Sequence, residues 1–235
     1  MMKIRRLHDW NLDYRHAVEV QEQLAGQVIE WPPLRHAETV AAADVSAGKR
    51  EDWIIAAVVV MQLPGFEVLE TREAGMRAAW PYVPGCLSFR EAPVVLEAFG
   101  QLRTIPDVVL IDGQGRAHPR RLGLASHIGL ALGIPTIGCA KSRLIGEVRG
   151  SLGLARGSRA ALWDAGERIA TVLRTRAGVR PVYVSVGHRI DLASAERWVL
   201  AAAPRYRLPE PARAAHQLVT HLKKEWVARD DPQMD

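Results

Sequence analysis

Cysteine is scarce in this chain. Cys86 and Cys139 are the only two in 235 residues, too few for a disulfide framework and without zinc-binding spacing. A reducing, cytoplasmic setting is therefore the simplest expectation. Long apolar runs are missing as well. The longest, WIIAAVVVM at 53–61, falls well short of the ~20 residues that cross a bilayer as a helix, so no membrane association is expected. The opening MMKIRRLHDW has basic residues but no apolar stretch behind them, which reads against a secretory signal. No G-x-x-x-x-G-K-[ST] occurs, so the Gly-x-Gly in DGQG at 112–115 is not by itself a phosphate loop. Repeats and heptad arrays are lacking too.

Acids are missing from one stretch in particular. Between Gly113 and Ala160 stand eight Lys or Arg (116, 120, 121, 141, 143, 149, 156 and 159) and one acid, Glu147. The rest of the chain carries 23 of the 31 basic and 25 of the 26 acidic residues, so the net charge of +5 arises in this segment. Clustered positive charge is the footprint of a polyanionic partner. Arginine outnumbers lysine 26 to 5; that ratio suits bidentate phosphate contacts, and codon bias explains it equally well. The 48% hydrophobic and 24% charged composition fits one ordinary globular domain over 1–235.

Periodicity predicts a helix over 11–30, with apolar Ala17, Val20, Leu24 and Val28 on one face. Three strands follow: Glu38–Ser46, Trp53–Leu63 and Glu67–Glu73, an antiparallel meander turning at Pro64-Gly65. A helix over 93–103, strand Val108–Asp112, a helix over 120–132 and strand Ile134–Ala140 form a parallel, right-handed unit. Strands Arg168–Arg174 and Pro181–Val186 come next, then helices near 192–203 and 211–228. Pro211 suits a first helical turn, and 230–235 reads as a frayed tail. The fold class is α/β, a mixed sheet flanked by helices.

Three strands end on charge: AAAD on Asp44, VVLID on Asp112 and TIGCAK on Lys141. If they run parallel, the three groups share the sheet edge at which open α/β folds bind ligands. Two carboxylates there repel unless a cation joins them, and a hard divalent ion such as Mg²⁺ takes such oxygens. Each aspartate could otherwise be a turn residue. Glu91 is the third candidate. Ser88-Phe89-Arg90-Glu91 matches a capping box, but Pro93 would then sit inside the helix. A helix starting at Pro93 leaves Glu91 just ahead of it, free to face the edge.

In PYVPG (81–85) an aromatic stands between two prolines. It is either a stiff loop and nothing more, or a rigid mount for Tyr82 as a wedge at a base step. His216 falls on the flank of the last helix's apolar stripe (Ala215, Leu218, Val219, Leu222, Trp226), open to a structural or a catalytic role.

These residues together resemble the endonuclease V (deoxyinosine 3′ endonuclease) family. The resemblance rests on DVSAG, PYVPG with FRE, VVLIDGQGRAHPRRLGLASHIGL, GCAKS, VSVGH and ARAAHQLV, in order from about 40 to 220. It implies an RNase H-like fold whose acidic edge binds Mg²⁺, with Mn²⁺ as a substitute. It also implies Asp44, Glu91 and Asp112 as metal ligands, with Lys141 facing phosphate and His216 beside the cluster. Tyr82, with Pro84 and Gly85, would part the strands, and Gly113, Gly115 and His118 would help receive a flipped hypoxanthine. Arg116, Arg120 and Arg121 would begin a path for the DNA backbone. The implied reaction cuts the second phosphodiester 3′ to deoxyinosine, leaving 3′-hydroxyl and 5′-phosphate ends. The expected partner is deoxyinosine-containing DNA, acted on by a monomer. Inosine-containing RNA or branched DNA is the alternative substrate for a nuclease of this fold. Val83 and Cys86 depart from the family's usual isoleucine and larger apolar residue, the second bearing on the base pocket.

Overall fold

A computed structural model describes residues 1–47 and 53–229, with side chains described through 225. The expected tail at 230–235 and the side chain of Trp226 lie outside the described residues. Helix α1 (Tyr14–Ala25) opens on Asp13, whose carboxylate accepts from the His16 amide, and buries Ala17, Gln21 and Leu24 at helical spacing. It is shorter at both ends than the apolar pattern suggests. Strands β1 (Thr39–Ala47), β2 (Trp53–Gln62) and β3 (Val68–Arg77) form the expected antiparallel meander.

The run WIIAAVVVM is continuous because β2 is covered on both faces. Ile54, Ala56, Val58 and Val60 pack toward α2 (Leu87–Gly100) and α3 (Leu124–Leu132). Ile55 and Ala57, one residue out of phase, meet Val219 and Leu222 of α5 (Glu210–Arg229). Pro211 lies in the first turn of α5, as expected. Strand β4 (Val108–Ile111) is parallel to β1, with Ala43 opposite Ile111. Strand β5 (Thr136–Ala140) is parallel to β4.

Beyond β5 the sheet turns antiparallel through β9 (Val182–His188) and β8 (Glu167–Leu173). Helix α4 (Leu192–Ala202), N-capped by Asp191, packs on β9 and β8. Two further strands, β6 (Glu147–Arg149) and β7 (Arg159–Asp164), were not expected from the sequence. β6 is too short and exposed to alternate visibly. β7 is joined to β8 by Ala165-Gly166, both at positive φ, the geometry of a tight hairpin turn. The full order is β3-β2-β1-β4-β5-β9-β8-β7-β6, one mixed sheet flanked by helices.

Two helix starts differ from expectation. α2 begins at Leu87, not at Pro93, directly after Gly85 (φ +77) and an N-cap at Cys86. Pro93 therefore sits in the helix interior, where it cannot donate to the Phe89 carbonyl, and Glu91 lies within the helix rather than ahead of it. Packing of Phe89, Ala92, Val95 and Phe99 against the core outweighs the missing bond. α3 begins at Leu124, not at 120, because 116–123 is a tight loop with Arg121 at φ +55, a conformation no helix accepts.

Candidate active site

The parallel arrangement of β1, β4 and β5 gathers their carboxyl ends. Asp44, in β1 beside the end of β4, is mostly buried, and so is Asp112 immediately after β4; Lys141 follows β5. Lys141 Nζ is ion-paired to Asp112 Oδ2. Burial opposes the charge on Lys141, but its hydrogen bond to Asp112 and the charges of Asp112 and Asp44 raise its pKa above the ordinary lysine value. His216, on the exposed flank of α5 as expected, lies with Nδ1 2.7 Å from Asp44 Oδ2. An ionised carboxylate only accepts, so Nδ1 carries the proton and Nε2 is the nitrogen left for chemistry.

Glu91 reaches the same edge from α2. Burial, then the negative charge of Asp44, pushes its carboxyl up to about 7; Arg90 pulls against this and Asp112 adds to it. Among the described residues no three acidic, histidine or cysteine side chains form a closed ligand set; the two aspartates are instead paired with His216 and Lys141. The donor chemistry nonetheless fits a hard divalent cation: three carboxylates, close enough that two of them raise the pKa of the third, are relieved by a positive ion between them.

Beside this edge lies a cavity of about 320 Å³, in the size range of small-molecule sites. It is lined by the loop Tyr82–Gly85, by Asp112–Gln114 and by Lys141–Leu144, with Ser88 and Gly123 contributing from α2 and the start of α3. Asp112 and Lys141 thus belong to both the acidic edge and the cavity. Tyr82, 70% exposed, also borders a second depression containing Trp80, Arg90 and Glu91, so it stands between the two hollows.

The loop that carries Tyr82 is held at one atom. The Gly85 carbonyl accepts from Gln21 Nε2 (3.0 Å), His118 Nε2 (3.1 Å) and Arg120 Nη2 (2.6 Å). The Arg120 amide donates to His118 Nδ1, so the imidazole is neutral with its proton on Nε2. Burial first, then Arg120, lowers the His118 pKa to about 4. His118 also lines the cavity.

The three arginines expected along DNA are engaged within the protein. Arg116 pairs with Glu30 (3.0 Å) and Glu167 (2.6 Å), and Arg121 with Asp164 (2.9 Å) and Glu167 (2.8 Å). Arg120 bonds to Gln21 Oε1 (2.6 Å) as well as to Gly85. They brace the loop after β4 against α1 and the β7–β8 hairpin. Gly115 is likewise a packing position: a Cβ there would stand 1.9 Å from the Val186 carbonyl oxygen. Gly113 has room for one and lines the cavity. Cys86 is buried with Ala17, Trp80 and Phe89, behind the cavity wall rather than in it.

Sequence reasoning passed over Gln21, Ser88, Gln114, Ser142 and Arg143. Gln114 Nε2 donates to the Ser142 carbonyl (2.9 Å), tying together two segments that line the cavity. Ser142 and Arg143 directly follow Lys141, so the strand-end argument could have been carried two residues further. Gln21 carried no signal, being one polar residue on a helix.

The endonuclease V family model matches residues 22–217. The chain belongs to the endonuclease V family. A relative from Gloeobacter violaceus, an endonuclease V, is 49% identical over 220 residues, 93% of this chain and 89% of the relative. Among solved structures, Streptomyces avermitilis endonuclease V has a TM-score of 0.88 and 40% identity, covering 96% of this chain and 99% of its own. Ciona intestinalis endonuclease V, solved with a 24mer DNA containing an inosine followed by a ribo-adenosine, has a TM-score of 0.81 and 26% identity, covering 91% of this chain and all of its own. The chain is an endonuclease of a divalent-metal-dependent family, and its mixed sheet is RNase H-like. No helix among the described residues is long and apolar enough to cross a membrane.

Proposed function

We propose that this chain is a DNA-repair endonuclease that recognises deoxyinosine and hydrolyses the second phosphodiester on its 3′ side. The products are 3′-hydroxyl and 5′-phosphate ends. The observation that carries the reading is that Asp112 and Lys141 line a base-sized cavity and also belong to the acidic edge. A flipped base in the one brings its own strand's phosphates to the other. The complex of the Ciona relative with inosine-containing DNA supports the substrate.

Asp44, Glu91 and Asp112 would hold Mg²⁺, with Mn²⁺ as a substitute. Such a cation, when bound, supplies Lewis-acid charge at the phosphate and makes a nearby water more acidic. Asp44 orients His216, whose Nε2 takes or gives the proton that moves between water and the leaving oxygen. Lys141 offsets charge that accumulates on the phosphate oxygens. Tyr82 enters the stack while Pro84 and Gly85 fix its loop, and Gly113 lets backbone approach the base. Positive charge for the duplex would come from Lys141 and Arg143, both exposed and lining the cavity; Arg116, Arg120 and Arg121 are engaged within the protein instead. We further propose that the protein works as a monomer in the cytoplasm.

The test is a gel cleavage assay on a duplex with one deoxyinosine, with Mg²⁺ and with EDTA. A metal-dependent nick one nucleotide beyond the lesion is expected from the wild type, and none from Asp112→Asn, which should still bind the duplex. Unchanged turnover in that variant refutes the assignment. Intact DNA alongside cleaved inosine-containing RNA would move the substrate to RNA.

A further inference from the structure

Behind the cavity runs a chain of hydrogen bonds that ends on one of its wall residues. Ser88 Oγ is 3.0 Å from His127 Nδ1, His127 Nε2 is 2.6 Å from His8 Nε2, and His8 Nδ1 is 2.7 Å from the Asp9 carbonyl oxygen. Trp10 and Phe89 pack against both imidazoles, and His127 is fully buried.

The direction of every bond follows from its last member. A backbone carbonyl can only accept, so His8 Nδ1 carries a proton. Burial holds His8 below the ordinary histidine value and His127 far below it, so both rings are neutral near pH 7. A neutral His8 protonated on Nδ1 must accept at Nε2. His127 then donates from Nε2 and accepts at Nδ1, and the acceptor there takes the one hydroxyl proton of Ser88. What Ser88 has left for an occupant of the cavity is lone pairs.

Resting on the reading of this cavity as the base pocket, we propose that Ser88 is a specificity residue. Fixed as an acceptor by His127 and His8, it receives the N1–H of a hypoxanthine ring and rejects adenine. The two bases differ at that atom. Hypoxanthine is a lactam with hydrogen on N1, whereas N1 of adenine is a lone pair. A serine free to rotate could serve either base by turning its hydroxyl. This one cannot turn without leaving His127 Nδ1 unpaired in a buried site. Guanine shares the N1–H, so the contact separates deaminated from intact adenine and leaves guanine to other parts of the wall.

The test uses single-turnover cleavage of duplexes containing deoxyinosine, deoxyadenosine or deoxynebularine. Nebularine is the unsubstituted purine, with a lone pair on N1 and no group at C6. Ser88→Ala is expected to slow inosine cleavage by about 10- to 100-fold, the cost of one buried hydrogen bond at a recognition site. Nebularine cleavage should hold or rise, so the inosine-to-nebularine ratio falls by a similar factor. Ser88→Thr, which keeps the hydroxyl, should restore most of the ratio. His127→Phe should raise nebularine cleavage, because the freed hydroxyl can turn and donate to N1. An inosine-to-nebularine ratio unchanged by Ser88→Ala overturns the inference, whether both rates fall together or neither moves. Wild-type protein indifferent to inosine would overturn the substrate reading and the inference with it, a result distinct from selectivity that survives Ser88→Ala.

Discussion

Replacing His118 by glutamine and following stability from about pH 7.5 to about pH 4.5 isolates the titration of one buried imidazole. In the folded protein burial and Arg120 lower its pKa to about 4 from an ordinary 6.5. Below 6.5 the unfolded chain takes up a proton that the folded chain refuses. The unfolded state then binds more protons, so stability falls as pH falls. At ~1.36 kcal/mol per unit, this one group removes ~2.5 kcal/mol by about pH 4.5. His127, lowered to about 3, and His188, lowered to about 4, act with the same sign. Glu91 acts oppositely, since its raised carboxyl takes a proton in the folded state first and gains stability as pH falls. The wild-type curve mixes these contributions; its difference from His118→Gln does not. Glutamine can still donate to the Gly85 carbonyl, so the variant should be less stable at neutral pH by ~1–2 kcal/mol. In urea unfolding with EDTA present, the difference should shift by ~2.5 kcal/mol in the variant's favour toward the acid end, enough to reverse the order of stability. Parallel curves would refute the buried, neutral assignment of His118.

Three other perturbations have clear expected outcomes. Tyr82→Ala should leave the urea midpoint unchanged, because the ring is exposed, while preference for inosine over undamaged duplex drops at least tenfold; unaltered preference with weakened metal affinity would defeat the wedge role. Gly115→Ala should cost about 3 kcal/mol or more in urea unfolding, since the new Cβ meets main chain of β9 that cannot rotate away. Arg121→Ala should lose ~1–2 kcal/mol of stability with the salt dependence of DNA binding unchanged. A salt slope reduced by about one would instead return Arg121 to the DNA backbone.

The acidic edge was legible because it depends on strand direction, and strand direction followed from the connection. A meander followed by strand–helix–strand leaves β1, β4 and β5 parallel, so that Asp44 within β1 comes beside Asp112, directly after β4, and Lys141, directly after β5. The start of α2 was misplaced because local rules oppose Pro93 within a helix, while the packing of Phe89 and Phe99 that overrides them is long-range. The partners of the arginines were hidden for a related reason. The cationic run was visible in sequence, but Glu30, Asp164 and Glu167, which neutralise it, come from distant segments. Ser88 entered only as a possible helix cap, set aside because of Pro93; its engagement by His127, 39 residues on, has no trace in local pattern.

The three donors on the Gly85 carbonyl bear on which side gives way when protein and duplex meet. Gln21 from α1 and His118 and Arg120 from the loop after β4 converge on a single oxygen at the base of the Tyr82 loop. A mount fixed by three donors from two segments has little compliance, so the loop keeps its shape under load. With Tyr82 as the wedge proposed above, the deformation would then fall on the nucleic acid. A mismatched or deaminated pair, being the softest step in a helix, would yield before a sound one, and the protein could sense damage as mechanical weakness before any atom of the base is read.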